Sequence, residues 1–341
     1  MSAAPVAVRR VVVDAPHAMR VEETTLPPHP AAGEARLRSR AIGICGSDVH
    51  VFHGHHPFVR YPVFPGHELV AEVEVVGDGV DPAWIGARVV LEPGLSCGTC
   101  RTCRRGDTHL CESLRVMGFQ APGGMGEAFD APIHRLHRLP DALPTEVGAL
   151  VEPLAVATRA LRAVAADAAR PADAVADRDV LVLGAGAIGL VCALVARADG
   201  ARVTVVEPHP GRRRLAAEAF GLAVADAAAE DAYDLVLECV GVEAALRAGV
   251  LALRKGATLL VVGVHGHDAC LPMGLVQDRE LRLQGTLMYQ SRDFARALEL
   301  MTAGGLDLAP MIGARFPLAR AAEAYALAAG GGDVLKVLLV P

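Results

Sequence analysis

Four cysteines crowded into a short stretch restrict how this chain can fold more than any other feature. Cys97, Cys100 and Cys103 are spaced three positions apart, and Cys111 follows after seven intervening residues. Thiolates at this spacing can close a tetrahedron around Zn²⁺ at about 2.3 Å, because tight CxxC turns and the returning chain bring the four sulfurs together. The spacing predicts a small lobe near residues 94–115, built around structural zinc rather than disulfides.

A second group of candidate ligands is spread more widely. Cys45, His67 and Glu68 offer sulfur, nitrogen and oxygen donors, a set consistent with Zn²⁺ that keeps a fourth position open. Glu152 adds a carboxylate at an expected domain junction, where a cleft would form. One closed group and one open group together predict a structural zinc beside a catalytic zinc.

The residues after Cys45 carry groups suited to moving a proton. Ser47 and His50 are interpreted as a proton relay. Asp48 is interpreted as a carboxylate that orients a zinc-bound imidazole.

Composition and charge exclude several classes of function. Only 21% of the 341 residues are charged and the net charge is −6, which gives no basic surface for nucleic acid. No apolar run reaches the ~18 residues that a membrane span needs, and the first residues do not follow the pattern of a signal peptide. We therefore expect a cytosolic protein whose partners are small molecules, without nucleic acid or membrane.

The first part of the chain predicts a small, mostly antiparallel domain over residues 1–153. Short β patterns there are broken by Gly and Pro, and the cysteine lobe is inserted among them. The predicted strands are Val6–Val13, Glu34–Ala41, Leu69–Val76 and Ala87–Leu91.

From Asp179 apolar strands alternate with helical patterns, which favours a parallel sheet covered by helices on both faces, over residues 154–293. The predicted strands are Val180–Leu183, Val203–Val206, Leu235–Leu237, Leu259–Val262 and Leu281–Gly285. The Ala- and Asp-rich stretch Ala165–Asp177 predicts a surface excursion.

Residues 294–341 are expected to return to the first domain. They contain helical patterns at Phe294–Thr302 and Ala319–Ala329, and a terminal strand at Val334–Val340.

A dinucleotide site is predicted where the first parallel strand runs into a glycine-rich turn and an apolar helix. Gly184 would make the tight turn, Gly186 would let the backbone approach a pyrophosphate, and Gly189 would allow close helix–strand contact. Glu207, at the end of the next strand, is placed to accept from the ribose hydroxyls. Its charge favours NAD over NADP, because it would repel a 2′-phosphate.

Three consecutive arginines leave the cofactor preference open. A guanidinium of Arg212, Arg213 or Arg214 is chemically able to bind a 2′-phosphate. The alternative is that they lie on a solvated helix face, with one stacked on adenine. We favour NAD.

Together these motifs resemble the zinc-dependent medium-chain alcohol dehydrogenases, in the branch of polyol and L-threonine dehydrogenases. The resemblance covers essentially the whole chain and is carried by residues 43–50, 65–68, 97–111, 149–156 and 182–190. Weaker stretches at 55–62, 116–124 and 207–213 are similar to enzymes of the L-galactonate dehydrogenase kind.

The resemblance implies an α/β protein with a GroES-like, mostly-β catalytic domain and a Rossmann domain with a doubly wound parallel sheet. It implies two zinc ions per chain, with the catalytic one on Cys45, His67 and Glu68, and Glu152 as a ligand or a water-mediated neighbour. It also implies a homotetramer or homodimer. By position, the cofactor site comprises Gly184, Gly186, Ile188, Gly189, Glu207, Arg212, Val262, Gly263, Val264, Thr286 and Leu287.

The function implied is hydride transfer between a secondary alcohol of a polyol or sugar acid and NAD. An L-threonine or amino-alcohol dehydrogenase is the alternative, followed by a catalytically silent NAD- and zinc-binding protein. Arg60 departs from the family pattern and is interpreted as a surface residue rather than a ligand of a substrate carboxylate. His53, His55 and His56 are interpreted as solvated loop residues.

Overall fold

The computed structural model describes residues 4–164, 175–303 and 305–341, and the chain forms two compact units. The first unit comprises Met1–Glu152, Gln290–Thr302 and Asp307–Pro341, and the second comprises Pro153–Tyr289 and Ala303–Leu306. The excursion predicted at Ala165–Asp177 lies largely outside the described residues.

Strands and short helices make up the regular structure of these ranges. The strands are β1 (Val6–Ala15), β2 (Ala18–Leu26), β3 (Glu34–Ile44), β4 (Glu68–Val76), β5 (Arg88–Leu91), β6 (Gly94–Leu95), β7 (Arg115–Val116), β8 (Ala128–Pro132), β9 (Leu136–Arg138), β10 (Asp179–Leu183), β11 (Arg202–Val206), β12 (Ala223–Ala225), β13 (Tyr233–Glu238), β14 (Leu253–Val261), β15 (Arg282–Gly285), β16 (Ile312–Pro317) and β17 (Lys336–Val340). The helices are α1 (Gly46–Phe52), α2 (Arg101–Arg104), α3 (Thr145–Gly148), α4 (Val151–Val164), α5 (Ala187–Ala198), α6 (Pro210–Glu218), α7 (Glu243–Ala252), α8 (Met273–Asp278), α9 (Ser291–Thr302) and α10 (Ala321–Ala329). Among the described helices, none has the length and apolar character needed to cross a membrane.

The first unit is built on a seven-stranded sheet, and it is mostly antiparallel, as its short β patterns predicted. The strand order is β16-β17-β3-β4-β5-β9, with β8 also paired to β3. All pairs are antiparallel except β16 with β17. Leu37, Ile42 and Leu69 from the central strands are buried in one core with Tyr325 of α10, so the C-terminal segment completes this unit.

The register of this sheet brings distant parts of the chain to one edge. Near its end β3 lies between two partners, with Gly43 opposite both Glu68 of β4 and Leu338 of β17. Cys45 follows β3, His67 precedes β4 and Lys336 begins β17. The ends of these three strands therefore meet at one site.

The second unit contains the parallel sheet predicted from strand alternation. Its order is β12-β11-β10-β13-β14-β15, with every neighbouring pair parallel. This is the doubly wound order in which the first and fourth strands in sequence lie at the centre. The central strands are nearly continuous runs of buried Val and Leu, as expected when helices cover both faces of a sheet. The prediction missed β12, a three-residue strand at the edge.

The chain returns to the first unit at Gln290, four residues before the predicted boundary. The side-chain amide of Gln290 donates to the Gly106 carbonyl in the cysteine lobe. Phe294 stacks on His137, with ring centroids 4.8 Å apart and an angle of 8° between the planes. These contacts hold the beginning of α9 against the first unit, and the boundary at 293/294 stays a prediction.

Candidate metal centres and dinucleotide site

The four lobe cysteines converge as their spacing predicted. Their sulfurs all lie within 4.8 Å of one another. The Cys97 and Cys103 sulfurs are 4.0 Å apart, and those of Cys100 and Cys111 are 3.9 Å apart. A regular tetrahedron with Zn–S bonds of about 2.3 Å has edges of about 3.8 Å. The sulfurs therefore fit a four-coordinate zinc ion.

The charge state of these thiols also favours a cation at the centre. Hydrogen bonds from the backbone and hydroxyl of Thr99 lower the pKa of Cys97 to about 5. The Thr102 hydroxyl lowers the pKa of Cys100 to about 7. Burial raises the pKa of Cys103 to about 12, and hydrogen bonds with Cys100 and Cys111 act in the same direction. Four thiolates this close need a bound cation, because their mutual repulsion otherwise keeps one protonated.

Cys45, His67 and Glu68 form a second cluster, in which one ligand atom from each residue lies within 4.8 Å of the others. His67 and Glu68 are buried, and Cys45 is half-buried at the start of α1. Gly43 makes room for the carboxylate, since a Cβ there would lie 2.5 Å from Glu68 Oε2. One sulfur, one nitrogen and one oxygen donor, in a largely buried position, are the protein ligands expected of a catalytic zinc site.

Asp48 lies where the sequence placed it, behind His67. Its Oδ2 accepts from the Cys45 backbone N–H at 2.9 Å, and its Oδ1 is 3.6 Å from His67 Nδ1. Both facing atoms are buried and lack a hydrogen-bond partner among the described residues. Burial opposes a charge on His67, but Asp48 and Cys45 outweigh it and hold its pKa well above the usual range. A carboxylate behind an imidazole is the arrangement that orients a histidine toward a metal.

The sequence missed a lysine partner for Glu68. Lys336 Nζ lies 2.5 Å from Glu68 Oε2, and both side chains are buried. Burial works to lower the pKa of Lys336, but the charge of Glu68 raises it by more, so the ammonium stays protonated. Composition offered one indication that Lys336 is special, because only two of the 33 lysine and arginine residues are lysines, at positions 255 and 336.

Glu152 is buried close to this cluster but is not one of its three converging ligands. Its charge helps to raise the pKa of both His67 and Lys336. Its role as a zinc ligand therefore stays a prediction.

The two relay residues lie on α1. Ser47 is half-buried, with its Oγ 3.5 Å from His67 Nε2, and His50 is exposed one turn further along. Burial, followed by the charges of His55 and His53, lowers the pKa of His50. The helix thus carries one polar group beside the cluster and a second one at the surface. Arg60 is exposed, as predicted.

The glycine-rich turn has the expected geometry. Gly186 precedes α5, and a Cβ on Gly189 would lie 1.9 Å from the Gly184 carbonyl oxygen, so only glycine permits this helix–strand contact. Ile188 lies in the first turn of α5. Glu207 is buried and accepts from the backbone N–H groups of Ala185 at 2.7 Å and His209 at 2.8 Å. The acid therefore also holds the turn in place.

The other predicted cofactor residues follow the carboxyl ends of neighbouring parallel strands, at the same sheet edge. Val262 and Gly263 both donate backbone N–H groups to the Glu238 carbonyl. Val264 and Leu287 are exposed. The hydroxyl of Thr286 is buried without a hydrogen-bond partner among the described residues. Val262 and Gly263 are therefore held in place by Glu238. Val264, Thr286 and Leu287 keep groups available to a ligand at the edge where doubly wound sheets bind nucleotides.

The arginines after Glu207 differ from one another. Arg212 is half-buried in α6 and Arg214 is exposed. Arg213 pairs with Asp226.

Sequence reasoning also missed Glu238 at the end of β13. It is fully buried and accepts from Val240 N–H at 2.8 Å and Gly241 N–H at 2.7 Å, and it contacts His265 Nε2 at 3.1 Å. It fixes two loops at the edge that carries the cofactor residues. The sequence offered one indication of this role, because Glu238 is an acidic residue at the end of a largely apolar strand.

Comparisons with known proteins agree with this architecture. Residues 31–141 match the alcohol dehydrogenase GroES-like domain, and residues 187–303 match the zinc-binding dehydrogenase domain. The chain is 35% identical to 2-dehydro-3-deoxy-L-galactonate 5-dehydrogenase of Pseudoalteromonas atlantica, over 91% of this chain and 92% of that protein. It is 32% identical to L-galactonate-5-dehydrogenase of Escherichia coli, over 87% and 88% of the two chains.

A solved structure extends the likeness to the whole fold. A zinc-binding dehydrogenase from Sinorhizobium meliloti bound to NADP superposes with a TM-score of 0.89 at 29% identity, covering 98% of this chain and 100% of that one. With both domain types, both sulfur-containing clusters and relatives along nearly its full length, the chain belongs to the zinc-dependent medium-chain alcohol dehydrogenase family and is an oxidoreductase acting on CH–OH groups.

Proposed function

We propose that this enzyme transfers hydride between a secondary alcohol of a polyol or sugar acid and NAD. The observation that carries the proposal is the buried group of Cys45, His67 and Glu68, with the Ser47 hydroxyl beside it. The substrate class is supported by the relatives named for L-galactonate and its 2-dehydro-3-deoxy derivative.

Cys45, His67 and Glu68 would hold the catalytic zinc, with Glu152 as a further ligand or close neighbour. Zinc bound there supplies Lewis-acid chemistry that favours loss of the alcohol proton near neutral pH. Cys97, Cys100, Cys103 and Cys111 would hold the structural ion.

The chain's own residues have distinct roles in this proposal. Ser47, whose Oγ lies beside the His67 ring, accepts the hydroxyl proton of the substrate and releases its own proton to a ribose hydroxyl of the cofactor or to water. That carrier delivers the proton to His50, which is exposed on the same helix and releases it to solvent. Asp48 keeps the imidazole of His67 in a fixed orientation.

We favour NAD because Glu207 presents a buried carboxylate at the expected position of the ribose. Each of its oxygens accepts one backbone hydrogen bond and retains a lone pair for a ribose hydroxyl. Arg213 is already paired with Asp226, which weakens the case for a 2′-phosphate site. NADP, which the Sinorhizobium structure contains, is the alternative. Glu207→Gln should raise the ratio of kcat/KM for NADP to that for NAD about tenfold, because it removes a like-charge repulsion.

The direct test is NADH formation by zinc-loaded protein on polyols, sugar acids, amino alcohols and L-threonine. Turnover confined to polyols or sugar acids supports the proposal. Activity on L-threonine alone would assign the protein to the alternative subgroup. A protein that binds both zinc ions and NAD but oxidises nothing in the panel would contradict the proposed substrate class and point to a different alcohol.

We further propose that the enzyme works as a homodimer or homotetramer in the cytosol. The edge strand β15 carries Leu283 with 40% of its surface exposed, and Met273 nearby in sequence is 58% exposed. All eight cysteines, which lie within the described ranges, are free thiols, as a reducing compartment requires. Light scattering coupled to size-exclusion chromatography would measure the assembly, and a monomer would contradict this part of the proposal.

A further inference from the structure

Three rings stand in a row beside the Cys45 cluster. Phe119 packs against His67 with ring centroids 4.8 Å apart, and His56 stacks on Phe119 at 4.7 Å with 19° between the planes. His56 is half-buried, whereas the sequence had suggested a solvated loop residue. It therefore lies two ring contacts from a candidate zinc ligand.

The loop that carries His56 is held against the loop that carries Phe119. Gln120 Nε2 donates to the Phe58 carbonyl at 2.9 Å, while Gln120 Oε1 accepts from Val116 N–H at 3.0 Å. One side chain thus ties the two loops together, and the ring of His56 is presented in a defined position.

The polar atoms of His56 have separate tasks. Its Nδ1 accepts a hydrogen bond from the Phe58 backbone N–H at 3.3 Å. In the neutral ring the proton then resides on Nε2, which is left as a donor. Burial, followed by the charges of His50 and His67, lowers the pKa of His56, so the neutral form prevails near pH 7.

We propose that His56 is a specificity-determining residue, which donates from Nε2 to a hydroxyl or carboxylate oxygen of the substrate remote from the reacting carbon. This inference rests on the proposed function. The apolar ring of Phe119 lies between His56 and His67, so His56 is two ring spacings away from the zinc ligand. The carbon chain of a polyol or sugar acid would span that distance along the edge of the Phe119 ring. A substrate of only three carbons, with its alcohol at the zinc ligands, would leave His56 without a partner. The site would therefore select long polyhydroxylated chains over short alcohols.

The test compares two variants that separate the ring from its donor. His56→Phe keeps a ring against Phe119 but removes the donor, whereas His56→Gln keeps an N–H group near the position of Nε2. The substrates are propan-2-ol and whichever polyol or sugar acid in the panel has the highest kcat/KM with the wild type.

His56→Phe should lower kcat/KM for the long substrate about 10- to 100-fold, mostly through KM, because a ground-state binding contact is lost. Activity on propan-2-ol should stay within about twofold. His56→Gln should restore much of the long-substrate activity. His29→Phe, at an exposed histidine elsewhere in the first unit, is the matched control and should leave both substrates unchanged.

The outcomes separate this inference from the proposed function. If the wild type oxidises polyols or sugar acids and His56→Phe leaves both substrates unaffected, the role of His56 is rejected alone. That role is also rejected if His56→Phe impairs both substrates equally, since the ring would then serve only to position His67. If the wild type oxidises propan-2-ol but no polyol or sugar acid, the proposed function and this inference both fall.

Discussion

The two candidate zinc clusters of the first unit differ in where their ligands come from and in what surrounds those ligands. All four ligands of the lobe lie between Cys97 and Cys111. The Cys97 sulfur accepts hydrogen bonds from Thr99 and from the backbone N–H of Cys100, which belong to the same lobe. The buried cluster takes its ligands from separate strand ends, and the protein surrounds them with Asp48 and Lys336.

From this difference we expect the two metal ions to have different roles. In the lobe, all the ligands come from one short segment, and we expect that segment to fold only when it binds the ion. In the buried cluster, Lys336 pairs with Glu68, so we expect the strands to assemble without zinc. We expect changes to the lobe to alter stability, and changes to the buried cluster to alter chemistry.

The largest effect should come from Cys45→Ser. Loss of a thiolate ligand should reduce kcat/KM by at least about a thousandfold, because Lewis-acid stabilisation worth several kcal/mol disappears. The melting temperature should change little. Steady-state kinetics and calorimetry measure the two quantities, with Cys270→Ser, at an exposed free thiol, as the control. A large fall in melting temperature for Cys45→Ser would remove the contrast between the clusters.

Cys97→Ser should show the reverse pattern. The lobe should lose its zinc, and the melting temperature should fall on the order of 10 °C, because structural metal binding contributes folding free energy. Molecules that remain folded should keep most of their kcat. Metal analysis should find one zinc per chain instead of two. A variant that retained both its zinc and its melting temperature would show that the lobe assignment is wrong.

Lys336→Met should destabilise the zinc-free protein by about 3 kcal/mol, because it leaves the Glu68 carboxylate buried without its partner. The loss should be smaller in zinc-loaded protein, where the metal can take the place of the ammonium. Since the folded protein raises the pKa of Lys336 above the ordinary 10.5, this stabilisation is complete below pH 10.5 and is lost only as the pH rises further.

Denaturant titrations with and without zinc would measure that difference. Lys255→Met, at the exposed second lysine, should change stability by less than about 0.5 kcal/mol. Equal losses for Lys336→Met in the two metal states would mean that Glu68 does not face the ion.

The smallest effect should come from Asp48→Asn. This change keeps the shape behind His67 but removes the charge, and partners of this kind typically alter metal affinity or activity about 10- to 100-fold. Zinc competition with a chromophoric chelator would measure the affinity of the buried cluster. An unchanged affinity would show that the 3.6 Å approach of Asp48 to His67 has no influence on the metal.

The sequence predicted most where the relevant contacts are local. Cysteine spacing located the lobe, and the glycine spacing after Leu183 located the cofactor turn, since both patterns specify backbone geometry within a few residues. The alternation of strands with helices predicted the parallel sheet, but β12 was missed because a three-residue edge strand has too few residues to show a pattern.

Non-local features escaped prediction. Lys336 meets Glu68 only because β17 pairs with β3, a register that one sequence does not reveal. The stack of His56 on Phe119 depends in the same way on two loops that are far apart in the chain.

The place of β17 also has a consequence for how the enzyme is made. This strand lies between β16 and β3 in the sheet of the first unit, yet it is translated after the whole of Pro153–Tyr289. Since domains generally fold as units during synthesis, the second unit can be complete while one edge of β3 still lacks its neighbour. During synthesis, Glu68 therefore lacks its lysine partner until the whole second unit and then β17 have been made. A chain truncated before β17 would expose an unpaired edge of β3 to aggregation.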